Sequence, residues 1–190
     1  MLAYRDGDED AFVALFNRYN VRIFNYFHRH LADRTTSEDL LQNTFLKVHR
    51  QRKSYQPSAA FSTWIFTIAT NLLRDHLDKT RRRDNLNELT AAKDSAGIGG
   101  GSTESVPEQS RKSVEDDYAE KEMAHHLSQA IQSLPFDQKE VILLAKYGEF
   151  RYEEIAKILN ITTGAVKVRV HRAMKNLEKI VKDRLGTPVP

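Results

Sequence analysis

The 190-residue chain contains no cysteine. That removes disulfides, cysteine-ligated zinc and thiol catalysis together, and it suits a reducing compartment such as the cytoplasm. Nor does any apolar run approach the ~18 residues that a membrane span requires; the longest strong one is VILLA, Val141 to Ala145. The opening MLAYRDGDED lacks the basic-then-apolar order of a secretion signal, so a protein neither inserted nor exported is expected. No HExxH, GxSxG or P-loop motif is present. The histidines His28, His30, His49, His76, His125, His126 and His171 are scattered. Helical residues one or two apart diverge, so neither His28/His30 nor His125/His126 makes a metal half-site. No catalytic residue, metal site, cofactor or small-molecule substrate is expected. Repeats of ~20 to 50 residues and period-two strand patterns are missing as well.

What is present is a divided charge. The net charge of +3 and isoelectric point of 9.0 look mild as totals. Residues 1–83 carry +5, residues 84–118 carry −5, and residues 119–190 carry +3. Two basic modules flanking an acidic connector imply a polyanionic partner touched twice.

Helical periodicity organises both modules. From Asp10 to Leu31 the apolar Phe12, Leu15, Phe16, Tyr19, Ile23, Phe27 and Leu31 recur on one face. Thr35 with Glu38 fits a capping box for a second helix with Leu41, Phe45 and Val48 inward, followed by basic residues from His49 to Lys53. After Pro57 a third helix from about Ser58 sets Phe61, Trp64, Ile65, Ile68, Leu72 and His76 on one side and ends on Arg81-Arg82-Arg83, where cations suit the helix dipole. The segment AAKDSAGIGGGSTESVPEQS, Ala91 to Ser110, mixes Gly, Ser and acid with almost no large apolar residue and reads as a linker. A second helical module begins near Tyr118, with Met123, Leu127, Ile131 and Leu134 in period, pauses at Pro135 and resumes through Val141, Leu144 and Ala145 to Gly148. The expected fold is all-α, with two small helical domains at 1–83 and 119–190 joined by a flexible acidic linker at 84–118.

YEEIAKIL, Tyr152 to Leu159, then a tight turn at Asn160-Ile161, then a helix capped by Thr162 or Thr163, is a helix-turn-helix pattern. Val166, Val170, Ala173, Leu177 and Val181 form the inner stripe of the second helix, and small Ala156 permits a close crossing with the first. The other face presents Gly164, Lys167, Val168, Arg169, His171, Arg172 and Lys175. That mixture suits phosphates, guanine edges and a thymine methyl in a major groove. Val168 lies off the buried stripe, where a merely solvated helix favours Glu, Gln or Lys. A solvated cationic surface and an RNA partner remain open alternatives on these residues alone.

With both modules placed, SEDLLQNTFLKVHR and FSTWIFTIATNLLRDHL in Ser37 to Leu77, and SLPFDQKEVILLAKYGEFRYEEIAKILNITTGAVKVRVHRAMKNL in Ser133 to Leu177, resemble the bacterial sigma factors of the extracytoplasmic-function group in the sigma-70 family. The resemblance implies a transcription initiation factor active in stress response: a dissociable subunit that directs RNA polymerase to promoters and leaves catalysis to the polymerase. It implies that the helix resembling DLLQNTF, through Asp39, Leu40, Gln42, Asn43 and Phe45, binds the clamp helices of the largest polymerase subunit. Phe45 also sits on the apolar stripe, where packing competes with that role. The segment resembling YQPSAAFSTWIFTIATN would engage the melted −10 element, with Asn71 at a base, Ser62 and Thr63 near the backbone, and Trp64 and Arg74 beside them. Trp64's place relative to Phe61 and Ile68 favours packing over base stacking.

The helix-turn-helix would read the −35 element as duplex through Thr162, Gly164, Lys167, Val168, Arg169, His171, Arg172 and Lys175. The family often has Ser where Val168 stands and Thr where Ala165 stands, which leaves the preferred −35 sequence open. Implied partners are the polymerase core, including its beta flap, promoter DNA, and an anti-sigma factor that covers the polymerase-binding faces. The linker would thread the polymerase channel that RNA later occupies. For elements ~17 base pairs apart, roughly 60 Å must be spanned, within the ~115 Å contour of about 35 residues. A stand-alone repressor or activator, which would bind duplex DNA unaided and dimerise on two half-sites, is the competing reading.

Overall fold

The computed structural model describes residues 1–58, 60–91 and 125–185, with side chains described as far as 86 in the first part and 183 in the second. All regular structure among the described residues is helical. In chain order the helices are α1 (Leu2–Arg5), α2 (Glu9–Leu31), α3 (Arg34–Gln51), a 3-10 turn (Arg52–Ser54), α4 (Phe61–Ala91), α5 (125–132), α6 (Phe136–Lys146), α7 (Tyr152–Leu159) and α8 (Thr163–Leu185). The chain divides into two compact units, one built on α1 to α4 and the other on α5, α6, α8 and most of α7. The acidic connector expected at 84–118 lies outside the described residues from position 92 onward, as does the start of the helix expected near Tyr118.

In the first unit, α3 packs against both α2 and α4. Asp8 caps α2 by accepting from the Ala11 N–H at 3.0 Å, and Ala32 ends the helix in the left-handed region at φ 53° with its N–H on the His28 carbonyl. The cap of α3 corrects the sequence reading. Asp33, not Thr35, accepts from the Thr36 N–H at 2.9 Å, and Glu38 pairs with Arg34 at 2.8 Å instead of closing a capping box. Asp beats Thr here because a carboxylate also answers the positive end of the helix dipole, and hydrogen bonds from Thr36 hold its pKa below the ordinary value.

The core of this unit is Ile23, Phe27, Val48, Ile65, Phe66, Ala69 and Leu73, with Tyr26 packed edge-on against Phe66. Tyr26 and His30 join the buried face of α2, while Phe16 is partly exposed against Phe45. In α3 the buried line is Ser37, Leu40, Thr44, Phe45 and Val48, so Leu40 takes the place expected for Leu41, which is half-buried. In α4, Leu73 replaces Leu72, and Phe61, Trp64 and His76 are half-buried. Beyond Leu73 no described side chain of α4 is buried, yet the helix continues to Ala91. Arg81-Arg82-Arg83 therefore sit inside a solvated helix rather than at its end, and the dipole argument for them fails.

In the second unit α6 packs against α8. Its core is Ile131, Leu134, Val141, Leu143, Leu144, Phe150, Ile155, Val166, Ala173 and Leu177. Gly148 is required by a close approach: a Cβ there would lie 2.5 Å from the Leu144 carbonyl and 2.6 Å from the Phe150 ring. Lys139 and Glu140 are buried on α6, the former donating to Gln132 at 2.9 Å, and burial lowers the Lys139 pKa.

Phe27→Ala is expected to cost about 3–5 kcal/mol in urea unfolding of the first unit, since that ring is fully buried. Asp33→Ala should cost about 1 kcal/mol near neutral pH. Because the folded-state pKa of Asp33 is depressed, its contribution is present above the ordinary Asp value. The gap between wild type and Asp33→Ala should close as pH falls below that value in a pH series of melting curves.

Candidate nucleic-acid interface

The turn between α7 and α8 is built locally. Asn160 adopts φ 53°, a conformation its short polar side chain tolerates, and the Ile161 N–H returns to the Ala156 carbonyl at 3.0 Å. At α7's other end Glu154 accepts from the Arg151 N–H at 2.9 Å. Of the two candidate caps for α8 it is Thr162 that serves, its Oγ1 accepting from the Ala165 N–H at 3.1 Å, while Thr163 is the first helical residue.

Val166, Ala173 and Leu177 are buried and Val170 and Val181 half-buried, as the stripe predicts. α8 packs against α6, a neighbour the sequence pattern does not name. Two polar contacts join the first turn of α6 to α8. The Asn176 side-chain amide donates to the Gln138 side-chain Oε1 at 2.8 Å, and Arg169 pairs with Asp137 at 3.6 Å. The Gln138–Asn176 contact was missed, and two residues 38 apart with no shared periodicity offer no local signal for it.

Gly164, Lys167, Val168, His171, Arg172 and Lys175 are exposed, together with Thr162 at the helix start. They form one face of α8 by their spacing. Arg169 is less open than its neighbours on this face: its side chain is 29% exposed and lies 3.6 Å from the Asp137 carboxylate. Met174, 56% exposed, was not anticipated.

The residues expected at the −10 element divide. Trp64, Asn71 and Arg74 fall on one face of α4 by spacing, half-buried, exposed and half-buried in turn. Trp64 packs edge-on against Tyr55 at 5.2 Å between centroids and tilts against Phe61 at 5.8 Å, in keeping with a packing role. Ser62 is half-buried, but Thr63 is buried at 5% exposure, as are its neighbours Phe66 and Thr70.

The five residues expected at the polymerase divide similarly. Asp39, Gln42 and Asn43 are exposed on α3, whereas Leu40 and Phe45 are 6% and 5% exposed and belong to the core. Leu46, 52% exposed, completes the outer face at spacing i, i+3, i+4, i+7 with the three polar residues. Counting outward from Asp39 would have found it. Nearby, Tyr4 hydrogen-bonds His49 Nδ1 and so ties α1 to the end of α3.

Among the described residues no group of three or more His, Asp or Glu side chains is arranged to hold a metal ion. Of the paired histidines, His125 is exposed and meets Gln129 at 2.6 Å, and His126 is half-buried. No helix of the described residues is long and apolar enough to cross a membrane.

Comparison with known proteins matches residues 15–83 to the Sigma-70 region 2 family and residues 125–177 to the Sigma-70 region 4 family. The chain is 32% identical over 181 residues to the RNA polymerase sigma factor CarQ of Myxococcus xanthus, covering 95% of each. It is 31% identical over 179 residues to the ECF RNA polymerase sigma factor SigW of Bacillus subtilis, covering 94% of this chain and 93% of the other. In fold it is similar to the sigma factor RpoE of Bartonella quintana, solved in complex with the anti-sigma factor NepR, at a TM-score of 0.68 and 24% identity over 90% of this chain and 97% of that one. A similar likeness holds to CnrH, solved with the cytosolic domain of CnrY, at a TM-score of 0.64 and 20% identity over 94% and 92%.

If the Arg169–Asp137 pair acts inside the domain, a double-mutant cycle of Arg169→Ala and Asp137→Ala in urea unfolding should return a coupling of up to about 1 kcal/mol that shrinks in high salt. Zero coupling at low salt would return Arg169 to the DNA-facing set.

Proposed function

The chain belongs to the extracytoplasmic-function group of the sigma-70 family and is a promoter-specific transcription initiation factor, and from that premise we propose how its surfaces divide the work. The module at 1–83 docks on the polymerase core and handles the −10 element, 84–118 connects, and 119–190 reads the −35 element as duplex. The observation that carries this is the face of α8. Its cations and Val168 stand outward because the inner stripe and the α6 contacts leave them no other direction.

On α3, Asp39, Gln42 and Asn43 around exposed Leu46 make an apolar centre with a polar rim, the usual anatomy of a protein interface. This face docks on the polymerase clamp helices. Leu40 and Phe45 act by supporting it from beneath. On α4, Asn71 with Trp64 and Arg74 meets the opened −10 strand, and Ser62 approaches its backbone. Lys167, Arg172 and Lys175 neutralise phosphates or fork onto guanine edges in the −35 duplex, and Thr162 holds the helix end in register.

Bond making is left to the polymerase, and the chain works in the cytoplasm where the polymerase is. By analogy with RpoE bound to NepR, an anti-sigma factor is the proposed regulator, acting by covering the faces that polymerase needs. The connector runs through the polymerase, so that promoter affinity depends on the core holding both modules at the right separation.

The purified chain should co-elute with sigma-free polymerase core, and the Asp39→Ala/Gln42→Ala/Asn43→Ala triple variant should not. A wild-type chain that ignores core yet binds duplex DNA unaided would make the stand-alone regulator the better reading. Arg172→Ala should weaken promoter binding by the holoenzyme by about 1–3 kcal/mol and leave core co-elution unchanged. Loss of co-elution in Arg172→Ala would contradict this division of labour.

A further inference from the structure

Two residues on the outer face of α8 have no explanation inside the chain. Val168 is 49% exposed and belongs to neither the buried stripe nor any polar contact, at a position where a charged or amide side chain would be as good a helix former and better solvated. Gly164, one turn earlier, is also exposed. No positive φ requires it, and an added Cβ would meet nothing closer than Thr162 Oγ1 at 3.8 Å, an ordinary contact. Alanine would fit there and would favour the helix.

The two positions are linked by geometry. A helical side chain leans toward the N-terminus and covers the turn before its own Cα. Val168 therefore lies over the turn that Gly164 leaves bare, making a shallow apolar floor flanked by Lys167, His171 and Arg172. A surface of this kind admits a close, apolar, uncharged object between phosphates. The edges of base pairs in a major groove present one apolar substituent, the 5-methyl of thymine, and a valine has no donor or acceptor with which to read any other group. Arg169, turned onto Asp137, does not compete for that place.

Resting on the reading of α8 given under Proposed function, we propose that Val168 is a specificity-determining residue that selects a thymine in the −35 duplex by packing on its 5-methyl group, and that Gly164 permits the groove edge to come close enough for it to do so.

The test uses holoenzyme reconstituted from the full chain and sigma-free polymerase core, selecting from duplexes randomised across the −35 region. Wild type should select a thymine at one position that Val168→Ser no longer prefers, with the remaining preferences intact. Replacing that thymine by deoxyuridine removes only the methyl and should weaken wild-type binding about 3- to 5-fold, the worth of one buried methyl, with no change for Val168→Ser. Gly164→Ala should keep or raise the melting temperature while lowering duplex affinity. Unchanged selection in Val168→Ser, equal binding of thymine and deoxyuridine, or full affinity in Gly164→Ala would overturn the proposal while leaving α8 as the reader. A wild-type holoenzyme that selects no −35 sequence at all would instead overturn the reading of α8 itself, and this inference with it.

Discussion

Burial of Val166, Ala173 and Leu177 against α6 fixes the rotation of α8 about its own axis, and the outward surface follows from that one constraint. An α-helix advances about 100° per residue, so fixing one stripe fixes every other side chain with it. Apolar burial alone leaves some freedom to roll. The contacts of Asn176 with Gln138 and Arg169 with Asp137, both made to the first turn of α6, oppose it. A surface meant to sit in a groove needs that rigidity, because base-edge contacts tolerate displacements of well under an ångström before their geometry is lost.

The same constraint governs α3, which has neighbours on two sides. Packed against both α2 and α4, it buries Ser37, Leu40, Thr44, Phe45 and Val48, and Ser37 and Thr44 escape a desolvation penalty by donating to the Asp33 and Leu40 carbonyls of the preceding turn. Only a narrow outer strip is left, and Asp39, Gln42, Asn43 and Leu46 fill it. On α4 the inner line through Ile65, Ala69 and Leu73 likewise sends Asn71 outward and Thr63 inward. In each case the outer surface is what core packing leaves over, so a core substitution on the inner line should disturb an outer face it never touches.

The charge layout complements this arrangement. Both helical modules are basic and the segment between them acidic, so the connector neither competes for nor adheres strongly to a polyanion that the modules must find. Phosphate contacts position the modules and carry no sequence information. Discrimination then has to come from contacts to base edges.

The sequence by itself determined the all-α class, two modules and an acidic segment between them, the helix-turn-helix, and the outward set on α8, because each of these is written in local periodicity, turn chemistry or composition. Asn160, Thr162 and the stripe from Val166 to Leu177 are local signals, and they were legible. Tertiary structure alone decided between neighbours on a helical wheel: Leu40 over Leu41, Leu73 over Leu72, Thr63 inward and Arg169 turned to Asp137. Adjacent helical positions differ by one step of rotation, and which of them is buried depends on the angle at which a second helix crosses, which no local pattern records. The extension of α4 past Arg83 was hidden for a related reason: a polar, solvated helix has no apolar period to announce it.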